Sequence, residues 1–248
     1  MRQSRPPFAA GGRHSQEGCS QSRLSSPAWP LFASSENAVA HLRPRYRWRV
    51  QTLEIVLVRH AEAVPPGTPP WEERDEERPL TEKGLRQAYE LAFELEPYIL
   101  TACYASPYPR AVQTVTPTAQ RRFLDVQLLA DLRERLLVRD GTRDWSEDLA
   151  QSWADADYGP PGGESGRAAQ RRGVSVLDLL RTRHADGGRL LVGSHGNLIA
   201  LILQALEPAV GAEFHLAMPM PAVYHLQHDG IGWRVMGGHG FAAVDTRN

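Results

Sequence analysis

Residues 53–58 read Leu-Glu-Ile-Val-Leu-Val. A short apolar run rich in branched aliphatics is a buried β-strand, and at this length it falls far short of a membrane span. Arg189 to Gly193 repeats the pattern, and shorter strand-like segments stand at 101–105 and 126–129. Between them lie stretches with helical spacing. Leu85, Ala88, Leu91, Ala92 and Leu95 form one apolar face, with Thr81 as its N-cap and Pro97 closing it; Val174, Leu177 and Leu180 mark another within 164–184. Strands alternating with helices predict an α/β fold, three layers with a mainly parallel sheet and helices on both faces. Helices are also expected from 106–110 to about Arg121 and over 198–206. Short strands are expected at 213–217, 222–228 and 231–236, with Asp229-Gly230 as the hairpin turn between the last two.

Composition narrows the class. Hydrophobic residues make up 42% of the 248 and charged residues 23%, as in water-soluble globular proteins. Cys19 and Cys103 form neither a disulfide framework nor a zinc spacing, which fits a reducing, cytoplasmic setting. The near-neutral net charge hides an uneven distribution: residues 1–50 carry eight Arg against two acidic residues, and the rest carries twenty basic against twenty-seven acidic. Residues 1–50 are rich in Ser, Arg, Pro and Gly without periodicity and are expected to be disordered, with the folded domain over 51–248. A flexible tail, a start codon placed too early and an organellar transit peptide all fit this composition. Its arginines are scattered rather than clustered, so nucleic-acid binding is not expected, nor is a membrane partner.

The polar residues that follow the strands carry the chemistry. Arg59-His60-Ala61-Glu62 leaves the strand 53–58 at its carboxyl end, where open α/β sheets bind ligands. An arginine there can grip phosphate oxygens with forked hydrogen bonds while a neutral imidazole attacks phosphorus. Taken alone, the tetrapeptide reads more readily as an ordinary strand-end histidine and a surface arginine, because short motifs match by chance. Arg110, Glu134 and His195 follow other strands, which places two histidines, two arginines and a carboxylate on one rim. Each also has a structural reading: Arg110 as a helix surface residue, Glu134 as part of the charge run 133–135, and His195 as a helix cap.

The collinear stretches Leu57-Val58-Arg59-His60-Ala61-Glu62, Pro79-Leu80-Thr81-Glu82-Lys83-Gly84, Ser106-Pro107-Tyr108-Pro109-Arg110-Ala111-Val112-Gln113-Thr114, Leu132-Arg133-Glu134, Gly163-Glu164-Ser165 and Ser194-His195-Gly196-Asn197 together resemble the histidine phosphatase superfamily, the phosphoglycerate-mutase-like fold. The resemblance covers nearly all of 53–248 and implies roles. His60 would be the nucleophile and form a phosphohistidine, and Arg59, Arg110 and His195 would stabilise the phosphoryl oxygens. Glu134 would serve as proton donor and acceptor, while Gly196 and Asn197 would line the phosphate site. No cofactor or metal is implied, and the expected partner is a small phosphorylated metabolite.

The chain departs from the pattern in three places. Ala61 replaces a frequent Gly, and Val64-Pro65-Pro66-Gly67 lacks an Asn found in many members. Arg135-Leu136-Leu137-Val138 lacks the Gly-x-Trp-Glu-Gly type of stretch seen in mutases. These departures, with no basic cluster evident for a substrate carboxylate, favour phosphomonoester hydrolysis. A phosphoglycerate mutase, a protein phosphohistidine phosphatase and a non-catalytic phosphate-binding module are the alternatives. The acidic loop 72–77 and the insertion 140–163 are expected to shape specificity.

Overall fold

A computed structural model describes residues 52–70, 74–137 and 145–241; the proposed tail over 1–50 lies outside them. In chain order the elements are β1 (Leu53–Arg59), a 3-10 turn (Asp75–Glu77), α1 (Glu82–Glu94), β2 (Ala102–Ala105), α2 (Pro109–Gln120), β3 (Val126–Leu128), a second 3-10 turn (Ala130–Leu132), α3 (Trp145–Ala154), α4 (Gly166–Arg183), β4 (Gly188–Ser194), α5 (Gly196–Leu206), α6 (Ala212–Ala217), β5 (Ala222–His228) and β6 (Trp233–Gly238). The strands form one sheet in the order β3-β2-β4-β1-β5-β6. The first four are mutually parallel, and β5 and β6 add an antiparallel edge. Among the described residues no helix is long and apolar enough to cross a membrane.

Alternation along β1 explains the layers. Leu53, Ile55 and Leu57 point to one face and pack with Leu177 and Leu180 of α4 and Leu198 to Leu203 of α5. Val56 and Val58 point to the other and pack with Leu91 of α1 and Val115 and Ala119 of α2. A strand covered on both sides has no polar face to offer water, which is why 53–58 reads as an almost continuous apolar run.

One expectation fails. Residues 213–217 form the helix α6, not a strand. A strand would put Phe214 and Leu216 on one face, but Phe214 packs against the core and His215 is buried while Leu216 is exposed, a helical pattern. The segment instead coils over the sheet rim, where Phe214 packs on Tyr224 and Phe241.

The motifs are also joints. Thr81 caps α1, its side chain accepting the Gly84 amide at 3.0 Å, and its hydroxyl donates to Glu62 Oε1. Gly84 lies so close to the β1 exit that a Cβ there would fall 1.9 Å from the Glu62 carbonyl oxygen. Alanine is the better helix former by about 1 kcal/mol, but this collision is with backbone and cannot be relieved by a rotamer change. Gly84→Ala is therefore expected to lower stability by about 3 kcal/mol. Urea denaturation checks this, and an unchanged midpoint would refute the contact.

Candidate active site

Parallel pairing of β1 with β4 sets Arg59 opposite Ser194, and the His60 amide donates to the Ser194 carbonyl at 3.0 Å. His60 and His195 thus leave neighbouring strands at the same edge, and their rings meet edge to face with centroids 5.3 Å apart. Ala105 of β2 pairs with Gly193, so Ser106 arrives beside them.

The His60 ring is oriented by its own backbone. Nδ1 lies 2.7 Å from the Ala61 carbonyl oxygen. A carbonyl only accepts, so Nδ1 carries the hydrogen and Nε2 keeps the lone pair of the neutral ring. Burial, and then the charges of Arg110, Arg59 and Arg78, push the pKa of His60 down to about 3. The imidazole is therefore neutral at physiological pH, the form a nucleophile requires.

His195 is fully buried, and its Nε2 lies 2.7 Å from Ser106 Oγ. That oxygen also accepts the Tyr108 amide at 3.3 Å. The other ring nitrogen of His195, Nδ1, is buried without a protein partner. Burial, with Arg110 second, holds the His195 pKa well below the ordinary value. Ser106 is thus a positioning residue. Ser106→Ala is expected to lower kcat by about tenfold, a hydrogen bond's worth, with KM little changed and an altered pH–rate profile. An unchanged kcat would remove the role.

The two expected arginines arrive differently from the simple forked clamp. Arg110, on the first turn of α2 and 1% exposed, donates Nη1 to the Asp75 carbonyl at 2.6 Å and Nη2 to Asp75 Oδ2 at 3.0 Å. Arg59 donates Nη1 to the Met218 carbonyl. Each keeps Nε buried and unpartnered. Burial lowers the pKa of both from the arginine norm. Gly196 makes room for Arg59, since a Cβ there would lie 2.9 Å from its Nε.

Glu134 is half-buried and turned inward, unlike a member of a solvated charge run. Its Oε1 accepts the amides of Arg135 at 2.8 Å and Leu198 at 3.0 Å, and its Oε2 accepts the Asn197 amide at 3.2 Å. The carboxylate therefore caps the N-terminus of α5 beside His195. Asn197 is 4% exposed, with neither side-chain oxygen nor nitrogen partnered.

Four further residues escaped the sequence reading. Asp75 binds Arg110 and also accepts from buried Arg78, whose Nη1 donates to the Val64 carbonyl. Thr114 accepts the Ala61 amide at 2.9 Å and donates to the Arg110 carbonyl, tying the nucleophile loop to α2. Gln113 accepts the Leu80 amide at 2.8 Å. All lie within or beside the motifs, yet nothing in residue type alone marks them as brackets.

Among the described residues, ten buried side-chain N or O atoms lack a partner, and five of them belong to Arg59, Arg110, His195 and Asn197. Folded proteins seldom bury polar atoms unpaired. Here the concentration marks a place built to hydrogen-bond something outside the chain, and guanidinium and imidazole N–H groups suit phosphate oxygens.

Comparison with known proteins agrees. The profile described as histidine phosphatase superfamily (branch 1) matches residues 55–237. A 2,3-bisphosphoglycerate-dependent phosphoglycerate mutase of Bradyrhizobium diazoefficiens is 28% identical over 197 residues, covering 71% of this chain and 92% of its own. The structure called mycobacterial hydrolase 2 superposes with a TM-score of 0.63 at 21% identity, over 79% of this chain and 94% of that one. Mycobacterial glucosyl-3-phosphoglycerate phosphatase gives 0.59 at 23%, over 75% and 97%. At such identities the two structures speak for the fold alone.

Proposed function

The chain belongs to the histidine phosphatase superfamily, and from that premise we propose that it hydrolyses phosphomonoesters through a phosphohistidine on His60. Nε2 of His60 attacks phosphorus as the bond to the leaving oxygen breaks. Glu134 gives that oxygen its proton, then takes one from the water that cleaves the phosphorus–nitrogen bond and releases phosphate. The Nε–H groups of Arg59 and Arg110 and the ring of His195 meet the charge that gathers on the equatorial oxygens.

One observation carries the choice of hydrolysis over mutation. Among the described arginines, Arg59 and Arg110 keep a buried Nε without a partner. Arg78 is engaged by Asp75 and Val64, Arg135 by the Glu164 and Tyr158 carbonyls, and Arg172 by Glu164. Among the described residues, the buried cationic donors left open are those of Arg59 and Arg110, enough for one phosphoryl group. A mutase must also hold a second phosphate and a carboxylate while keeping water from the phosphohistidine. The second reading, a phosphoglycerate mutase, is favoured by the Bradyrhizobium relative, matched over 92% of its length.

A panel of phosphomonoesters including 3-phosphoglycerate separates the two, with phosphate release and isomerisation followed in the same samples. Release from several esters without isomerisation is expected. Isomerisation in excess of release would make the enzyme a mutase.

A further inference from the structure

A second group of unpartnered buried polar atoms lies beyond the phosphate site. Nε1 of Trp153 in α3, Nδ1 of His215 in α6 and the hydroxyl of Tyr224 in β5 are all buried without a protein partner. Several contacts bind this group to the site. The Trp153 and His215 rings lie 5.8 Å apart, and His215 feels the charges of Arg59 and Arg135. Tyr224 and Arg59 likewise influence one another. The Met218 carbonyl, three residues beyond His215, receives Arg59 Nη1. Asn197, with both amide atoms free, stands next to Glu134.

The position of Glu134 gives this group a direction. A residue that protonates the leaving oxygen must sit on the leaving-group side of phosphorus. Glu134 is held against the backbone amide of Asn197 at the start of α5, and α5 packs with α6, the helix that carries His215 beside Trp153, so this side of the site is where we place the organic part of the substrate.

We propose that Trp153, His215 and Tyr224, with Asn197, form the subsite for the organic part of the substrate, and that this part is an uncharged, hydroxyl-bearing group such as a sugar or polyol. The assignment rests on the phosphate-site reading above. The free atoms are an indole donor, an amide donor and acceptor, a phenol and an imidazole nitrogen. They suit alternating hydroxyl donors and acceptors rather than a carboxylate. Burial holds the His215 pKa down at about 4, so the ring adds no cation at neutral pH. Its neighbours Trp153, Phe214 and Tyr224 supply aromatic walls for the carbon–hydrogen faces of such a group.

The test is calorimetric, on the full chain carrying His60→Ala so that no turnover intervenes. Dissociation constants are measured for orthophosphate, a hexose 6-phosphate, glycerol 3-phosphate and 3-phosphoglycerate. A sugar or polyol phosphate is expected to bind at least about tenfold more tightly than orthophosphate and more tightly than 3-phosphoglycerate. Adding Trp153→Phe, which keeps an aromatic side chain but replaces the indole by a smaller phenyl without the N–H, is expected to shrink that advantage about fivefold. His215→Phe is expected to do the same, with folding verified by circular dichroism. An advantage near one, or one that neither substitution changes, overturns the subsite and leaves the atoms to structural water. A preference for 3-phosphoglycerate overturns the ligand class. If orthophosphate itself fails to bind, the phosphate-site reading falls and takes this one with it.

Discussion

His60→Ala is expected to lower phosphate release on the order of 10^4-fold or more, the scale of deleting a covalent nucleophile, while the protein stays folded. The ring's hydrogen bond runs only to the neighbouring Ala61 carbonyl, and the backbone amide that joins β1 to β4 is untouched. The substitution therefore removes the attacking lone pair without cutting a bracket of the fold. The arginines and His195 remain and are expected still to bind phosphate. Binding and turnover should separate: orthophosphate retains a measurable dissociation constant, while the acid-labile phosphoenzyme expected on quenching the wild type is absent from the variant. Residual turnover above about one per cent would show that another group attacks phosphorus. His195 is the nearest imidazole, but its Nε2 is engaged by Ser106 Oγ at 2.7 Å.

Acid should destabilise this protein well above the pH at which carboxylates titrate. His60 and His215 are held at about 3 and about 4, and His195 well below its ordinary value, in each case chiefly by burial. In the unfolded chain each titrates near about 6.5. Below that pH the unfolded state binds protons the folded state refuses, so stability is complete above pH 7 and falls as pH drops. Each group contributes up to about 1.4 kcal/mol per pH unit, and the three together remove about 6 kcal/mol between pH 7 and pH 5. That is comparable to the whole stability of an ordinary domain. Urea midpoints measured across this range should fall steeply, and His215→Phe should remove about a third of the slope. A flat profile would mean that the buried histidines accept protons within the fold.

How far the sequence disclosed these features depended on the range of the interaction. The β1 and β4 runs, the Thr81 cap and the placement of His60 and His195 were legible because each follows from local pattern: strand-length apolar runs, a capping residue, a polar residue after a strand. The α6 segment was misread for the opposite reason. Its helix is packed through Phe214 on Tyr224 and Phe241, which lie 10 and 27 residues further along the chain. Arg110 was recognised, but its engagement by Asp75 spans 35 residues and two elements, and no spacing rule couples them. Trp153 and His215 lie 62 residues apart and meet only because α3 and α6 converge beside Arg59. Glu134 stands between these cases. Its motif was visible, whereas its attachment to the α5 amides needed coordinates.

His60 and His195 both follow the last rung of the β1–β4 ladder, Arg59 opposite Ser194, so their spacing is guarded by the centre of the sheet. Trp153 and His215 ride instead on helices of ten and six residues outside it. Short peripheral elements open at lower free energy than a central ladder. On warming, the chain should pass through an interval in which it still cleaves small phosphate esters but no longer chooses among them. Fidelity would then melt before reactivity.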